Sequence, residues 1–362
     1  MPLVAARAFA LTGVAPVPPA PRRLRFRGSA SRGVTTDSRL RDRAPSRSPA
    51  PPRAARTPAD FPPKLEDLAA PFVPAKRTLN EGIADFYDES SELWERVWGE
   101  HMHHGYYPGG VPRPDHTQAQ VDMIDEALRW AGIDDAHPVA SLLDVGCGIG
   151  GSSRHIARRF PECVSEGVTL SPVQSARANA ITANAGFASR VHFRVADALR
   201  LPFPDDAFDL VWSMESAEHM PDKPRLTREL SRACAPGGKV LVVTWCHREL
   251  EPGETALRPE EQDIIDRVCD AYYLPAWCSG EEYARLFRDA GMEDVRVADW
   301  SDEVRPFWRA VIAKALTPRG MLGLLRAGPA TIRGGLVMPL MQRGLDTGAV
   351  KFNLIVATKP RR

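Results

Sequence analysis

Ser141-Leu142-Leu143-Asp144-Val145-Gly146-Cys147-Gly148-Ile149-Gly150-Gly151 decides the fold, and Ser152 to Ala157 carry it on at helical spacing. A short apolar run that enters a glycine-rich stretch and leaves as a helix reads as strand, tight turn and helix. Gly146, Gly148 and Gly150 let the backbone take left-handed angles and approach a ligand closely, with Cys147 inside the same turn. The helix start offers unpaired N–H groups to an anion. A bare G-x-G-x-G does not identify that ligand, because dinucleotide-binding proteins also place glycines after a first strand. Asp144 discriminates. A carboxylate repels a pyrophosphate but suits S-adenosylmethionine, which carries an ammonium and a sulfonium and no phosphate. The turn therefore predicts S-adenosylmethionine, with its methionine carboxylate at the helix start.

Working outward, Val164 to Ser171 reads as a second strand and Ser171 to Ala185 as its helix. Val191 to Val195 and Phe208 to Met214 are further strands, Leu226 to Ala235 a helix, and Lys239 to Trp245 a strand after the Pro236-Gly237-Gly238 turn; Lys351 to Thr358 is the last strand. The alternation predicts an α/β, Rossmann-like fold: a mostly parallel seven-stranded sheet with helices on both faces and the ligand at the strand carboxyl ends. Asp197, after the third strand, is then placed for the adenine amino group with the Ala198 N–H beside it, or else caps the turn at Leu199. Ribose contact falls to Thr169, Ser171 or Gln174, since the second strand ends without an acid.

The net charge of +1 over 362 residues hides an asymmetry. Met1 to Pro58 holds twelve Arg, ten Pro and two acids, Asp37 and Asp42, a net +10 that leaves −9 on the remainder. The leader lacks the apolar surface to fold alone, and its acid-poor, Arg- and Ser-rich composition is that of an organelle transit peptide. An acidic body without Lys/Arg clusters argues against nucleic-acid binding. Six scattered Cys without a CxxC pair read as reduced, mostly buried thiols, and no apolar window reaches the length of a membrane span.

From about Phe86 to the carboxyl terminus the chain resembles the γ-tocopherol C-methyltransferases of plant and algal plastids, class I S-adenosylmethionine-dependent enzymes. The likeness rests on GVTLSPVQ from Gly167, VADAL from Val195, FDLVWSMES from Phe208, EHMPDK from Glu218, VTWCHR from Val243, CDAYYLPAWCS from Cys269, RPFW from Arg305 and MPLM from Met338. The first of these and DVGCGIGG recur in related methyltransferases; the combination is narrower. One departure is Ala217, where Gly is expected. The resemblance implies methyl transfer to a ring carbon of γ-tocopherol, giving α-tocopherol, and of δ- to β-tocopherol. It also implies a chloroplast enzyme with residues 1–58 as transit peptide, working at the inner envelope or plastoglobule surface because the prenylated chromanol is lipophilic.

Methylating a phenol at carbon calls for removal of the hydroxyl proton, which raises electron density on the ring. His219, Glu215 and Glu218 after the fourth strand are the candidate bases, followed by His247 after the fifth. The segment 86–118 with its aromatic, His-rich loop looks like a lid, and the resemblance puts Tyr106 or Tyr107 near the methionine end. His101, His103 and His104 invite a metal reading, but no companion ligand pattern supports it and no metal is expected. Residues 247–345, with the aromatic run Tyr272 to Cys278, read as a helical substrate cap. Three other readings remain: an alkaloid N-methyltransferase, which has no obvious need of a leader; a nicotinamide-dependent oxidoreductase, against which Asp144 argues; and a silent cofactor-binding protein.

Overall fold

The strand–turn–helix around Gly146 lies at the centre of a single sheet. This computed structural model describes residues 95, 99–112, 115–315, 317 and 329–361. The leader, residues 1–58, and the opening of the lid, residues 86–94, fall outside the described residues. Strands β1 (Ser141–Val145), β2 (Val164–Thr169), β3 (Val191–Val195), β4 (Phe208–Met214) and β5 (Cys234–His247) pair in parallel. β6 (Glu293–Asp299) pairs antiparallel with β7 (Val350–Thr358), which is antiparallel to β5 as well. The order is β3-β2-β1-β4-β5-β7-β6. Because β1 sits between β2 and β4, the crossover helices leave in opposite directions there and open a crevice at the carboxyl ends.

The central strands are buried on both faces, which is why they are written as nearly unbroken apolar runs. Leu142, Leu210, Leu241 and Leu354 enter one core, while Leu143, Val211, Val242 and Ile355 enter the other. Eight helices are described: α1 (His116–Trp130), α2 (Gly151–Arg159), α3 (Pro172–Asn184), α4 (Lys223–Ala233), α5 (Pro259–Ala271), α6 (Gly280–Asp289), α7 (Ser301–Ala315) and α8 (Pro329–Thr347). Four start on a side-chain cap, with Asp115, Ser171, Asp222 and Ser279 accepting from the N–H of Gln118, Gln174, Arg225 and Glu282.

Several boundaries differ from the sequence reading. β2 ends at Thr169, because Ser171 is already the cap of α3. α4 begins at Lys223, three residues before the expected Leu226, since Asp222 supplies the cap. α1 and β6 have no counterpart in the sequence reading. The expected continuous cap over 247–345 is split. α5 and α7 each pack on α8, but α6 and β6 return to the sheet, α6 packing on β6, β7 and α4.

Candidate active site

Where β1 ends, the Gly146 and Cys147 N–H groups both donate to Val168 O, at 2.9 and 3.0 Å, which fastens the turn to β2. Gly146 takes φ 79°, and Gly150, at φ 82°, stands at the start of α2 with no side-chain cap. The first amides of α2 at Gly151 and Ser152 are therefore open to the cleft that these elements line. That cleft encloses about 990 Å³, part of it continuous with solvent. Asp144 is 2% exposed and accepts a 2.6 Å hydrogen bond from Ser153 Oγ. Burial pushes its carboxyl up to about 6 despite that bond.

Thr169, Ser171 and Gln174 form one hydrogen-bonded group on the facing wall: Thr169 Oγ1 donates to Gln174 Oε1, and Ser171 Oγ accepts from the Gln174 N–H. Asp197 lines the same cleft and accepts from the Leu199 N–H at 2.9 Å, the turn-capping role considered for it. Gly146, Cys147 and Gly148 border the cleft directly; Gly150 and Ala198 stand behind this wall, Ala198 buried in the core beneath β1 and β4. A carboxylate, an open helix start and a polar wall are the groups that could hold the ammonium, carboxylate and ribose of S-adenosylmethionine. Among the described residues no cluster of three or more His, Cys, Asp or Glu could hold a metal ion. All six Cys are free and buried.

The lid differs from expectation. Tyr106 packs against Trp300 at 4.9 Å, and the fully buried Tyr107 bonds His116 through its hydroxyl at 2.5 Å; neither ring reaches the cleft. The backbone of this segment is held close to α1, where Tyr106 N–H donates to Ala119 O, and that directs the tyrosines into the packing around α1 and Trp300 rather than into the cleft. The residues that do reach the cleft are Glu100, Met102 and His103. Gln120 Nε2 fixes them by donating to His101 O and His103 O, both at 2.8 Å. Arg154, 1% exposed, pairs with Glu100 at 2.6 Å.

Behind the cleft lies a second cavity, partly open to solvent, beneath the cap helices. Its walls are apolar and aromatic, built from Trp245, Tyr272, Trp277, Phe307, Trp308 and Met341. Met102, His103, Glu215 and His219 border both spaces, so the two meet at this partition. The three expected bases cluster there in different protonation states. Glu215 sits at φ 50°, a strained angle for a non-glycine residue, with its side chain 8% exposed. Its Oε1 accepts from the His104 N–H at 2.6 Å, and its Oε2 from His104 Nδ1 at 2.5 Å and Trp245 Nε1 at 3.3 Å. Burial alone would raise this carboxyl, but His104 holds it below the ordinary value. Glu218 lines the second cavity and accepts from Thr244 Oγ1. Burial, with the charge of Glu215, pushes it up to about 8. Burial, with Lys223, drives His219 down to about 3, so its imidazole is neutral. His247 is bonded to Arg248 O at the end of β5, outside both cavities. Ala217 packs in the core, its carbonyl accepting from Lys223 and Tyr283, so its methyl narrows neither cavity.

His104 and Trp245 were missed as partners of Glu215. The H-M-H-H run was visible, but its contact with Glu215 spans 111 positions and no local pattern encodes it.

Comparison with known proteins completes the assignment. Residues 143–242 match the family model described as a methyltransferase domain. A probable chloroplastic tocopherol O-methyltransferase of Oryza sativa is 54% identical over 78% of this chain and 79% of its own length. The chloroplastic tocopherol O-methyltransferase of Arabidopsis thaliana is 52% identical over 78% of this chain and 83% of its own. Among solved structures, geranyl diphosphate C-methyltransferase of Streptomyces coelicolor superposes with TM-score 0.63 over 79% of this chain and 100% of its own, at 22% identity, a likeness of fold. The glycine turn, the crevice at β1 and β4 and these extensive identities have one explanation: the chain belongs to the tocopherol O-methyltransferase family.

Proposed function

We propose that this enzyme transfers the methyl group of S-adenosylmethionine to the free ring carbon of γ-tocopherol, giving α-tocopherol, and converts δ- to β-tocopherol in the same way. The observation that carries the reading is the pair of pockets: a cleft at the glycine turn, lined by Asp144, Thr169, Ser171, Gln174 and Asp197, meets an apolar, aromatic one across a shared partition. Stacking on Trp245 and the Phe307–Trp308 pair suits a flat chromanol. Two buried indole N–H groups lining that cavity, of Trp277 and Trp308, have no hydrogen-bond partner among the described residues and suit the chromanol oxygens. The methyl donor supplies an electrophilic carbon on a sulfonium. The protein aligns the ring carbon with it and excludes water. Asp144 takes the donor's ammonium, the start of α2 its carboxylate, Thr169, Ser171 and Gln174 its ribose, and Asp197 its adenine.

The plastid is the compartment, as for the chloroplastic relatives, and the lipophilic tail brings the enzyme to the inner envelope or plastoglobule surface. No helix among the described residues is long and apolar enough to cross a membrane. The direct test is transfer of labelled methyl by the full chain to detergent-dispersed γ-tocopherol, δ-tocopherol and an indole alkaloid in parallel. Label in α- and β-tocopherol is expected; label in the alkaloid alone overturns the substrate, and cofactor binding without transfer overturns the activity.

The state of Asp144 sets a pH dependence. Its carboxyl, raised to about 6, is ionised above that pH, where an ammonium is bound best, and neutral below it. Affinity for S-adenosylhomocysteine is thus expected to be level above pH 7 and to fall about tenfold per unit below pH 6. The contribution of Asp144 to apo stability runs the other way: because its native pKa exceeds the unfolded one, that contribution is present below about pH 4 and is lost as pH rises to about 6, where the unfolded state ionises first. Calorimetric titration between pH 5 and 8 checks the first trend, and a flat profile removes Asp144 from the ammonium site.

A further inference from the structure

His104 and Glu215 have the arrangement of a base and its orienting carboxylate. An ionised carboxylate only accepts hydrogen bonds, and Glu215 is held ionised, so the 2.5 Å contact requires the proton to be on His104 Nδ1. In the neutral imidazole, the form able to take a proton, the lone pair is then on Nε2. That atom is buried, has no hydrogen-bond partner among the described residues, and belongs to a side chain lining the aromatic cavity. The backbone N–H of His104 donates to the other Glu215 oxygen, so a single carboxylate fixes both the tautomer and the ring orientation. Trp245, Phe307 and Trp308 surround the imidazole with ring centroids 4.4 to 5.0 Å away, which keeps water from it. The other polar groups at the partition are less suited to take a proton. Glu215 has both oxygens engaged, Glu218 is already protonated at neutral pH, and His219 is too weak a base. His103, lowered by burial, is held at Nδ1 by the His104 carbonyl and not by a carboxylate that would stabilise an imidazolium.

We propose that His104 is the catalytic base that removes the hydroxyl proton of the chromanol through Nε2, with Glu215 as its positioning residue. This rests on the substrate reading above. The O–H bond breaks as its proton bonds to Nε2, and the oxygen electrons enter the ring. The ring carbon forms its bond to the methyl group as the carbon–sulfur bond breaks, with that electron pair going to sulfur. The same carbon then releases its hydrogen as a proton to solvent, and the oxygen recovers the proton held by His104. One proton leaves per turnover, and His104 ends neutral. Besides Glu215, the titratable groups lining the same cavity are His103, its chain neighbour, and His101, Glu218, His219 and Tyr272.

The test compares wild type, His104→Ala, His104→Gln and Glu215→Gln in single-turnover methylation of γ-tocopherol from pH 6 to 9, alongside S-adenosylhomocysteine affinity and thermal unfolding. His104→Ala is expected to lower the rate by about 10²–10⁴-fold with cofactor affinity within about threefold of wild type. Its deficit shrinks at high pH and on a chromanol made more acidic by an electron-withdrawing substituent, because such a substrate ionises without help. A purely structural role for His104 predicts the same deficit on every chromanol. His104→Gln, whose amide can still donate to Glu215, keeps the fold if the alanine variant does not, and should show the same pattern. Glu215→Gln should lose less than His104→Ala. Rates within threefold of wild type in both His104 variants, or a deficit indifferent to substrate acidity and pH, overturn the assignment. A wild type that methylates no chromanol instead overturns the reading on which it rests.

Discussion

Gly146→Ala is expected to abolish measurable cofactor binding and to lower stability by about 2–5 kcal/mol, combining a left-handed angle on a residue with Cβ and an overpacked contact. A methyl at this position would lie 2.2 Å from Ser216 Cβ and 2.3 Å from its Oγ. Neither side can withdraw cheaply. The Gly146 N–H is bonded to Val168 O, and Ser216 Oγ donates to Val145 O at 2.7 Å while lying 2.9 Å from Ser213 Oγ. Displacing Ser216 also moves its neighbour Glu215 and through it His104, so cofactor turn and proton acceptor are coupled across the β1–β4 crevice. Ser216→Gly in the same chain removes the collision and leaves the backbone strain. The double variant should therefore recover part of the lost stability, read as a positive interaction in a double-mutant cycle of unfolding free energies. Strict additivity of the two losses would mean that the contact is not what limits Gly146.

That coupling also marks where the sequence could be read and where it could not. The order of strands and helices from Ser141 to Trp245 was legible because β1, β4 and β5 are apolar on both faces and the helices between them begin on Ser, Asp or Pro. α1 was hidden by the polar run His116–Thr117–Gln118 and by Gln120, a buried amide that works as a clamp on the lid backbone. β6 was hidden because it is an edge strand with only partly buried side chains, so the alternation is weak. The glycine turn announced its own place, since its signal is local. The partition did not. His104, Glu215 and Trp245 come from three separate stretches and meet only when the sheet is assembled, so the chain placed Glu215 among the candidates without revealing its partner. The tyrosines beside His104 were the more conspicuous residues, yet packing against α1 and Trp300 turns them away from the cleft.

Glu218→Gln is expected to make the protein more stable at neutral pH, which sets it apart from most substitutions at a site. In the native state Glu218 is 3% exposed and faces the charge of Glu215, which together raise its carboxyl from 4.5 to about 8. Between those values the native state keeps the proton and the unfolded state has released it, so stability falls as pH rises across the interval, by about 1.4 kcal/mol per unit. At pH 7 the accumulated cost is about 3 kcal/mol, and a glutamine, neutral at every pH, does not incur it. Its amide oxygen can still accept from Thr244, so the core contact is retained. The stability advantage of Glu218→Gln over the wild type should therefore widen from pH 5 to 8, with the two unfolding curves converging near pH 4. Parallel curves would show that Glu218 is ionised in the native protein. A carboxyl that weakens the fold at working pH is expected where it serves the site. Near an ionised Glu215, a protonated Glu218 gives the cavity a neutral hydrogen-bond donor, two acids kept apart in protonation by their surroundings.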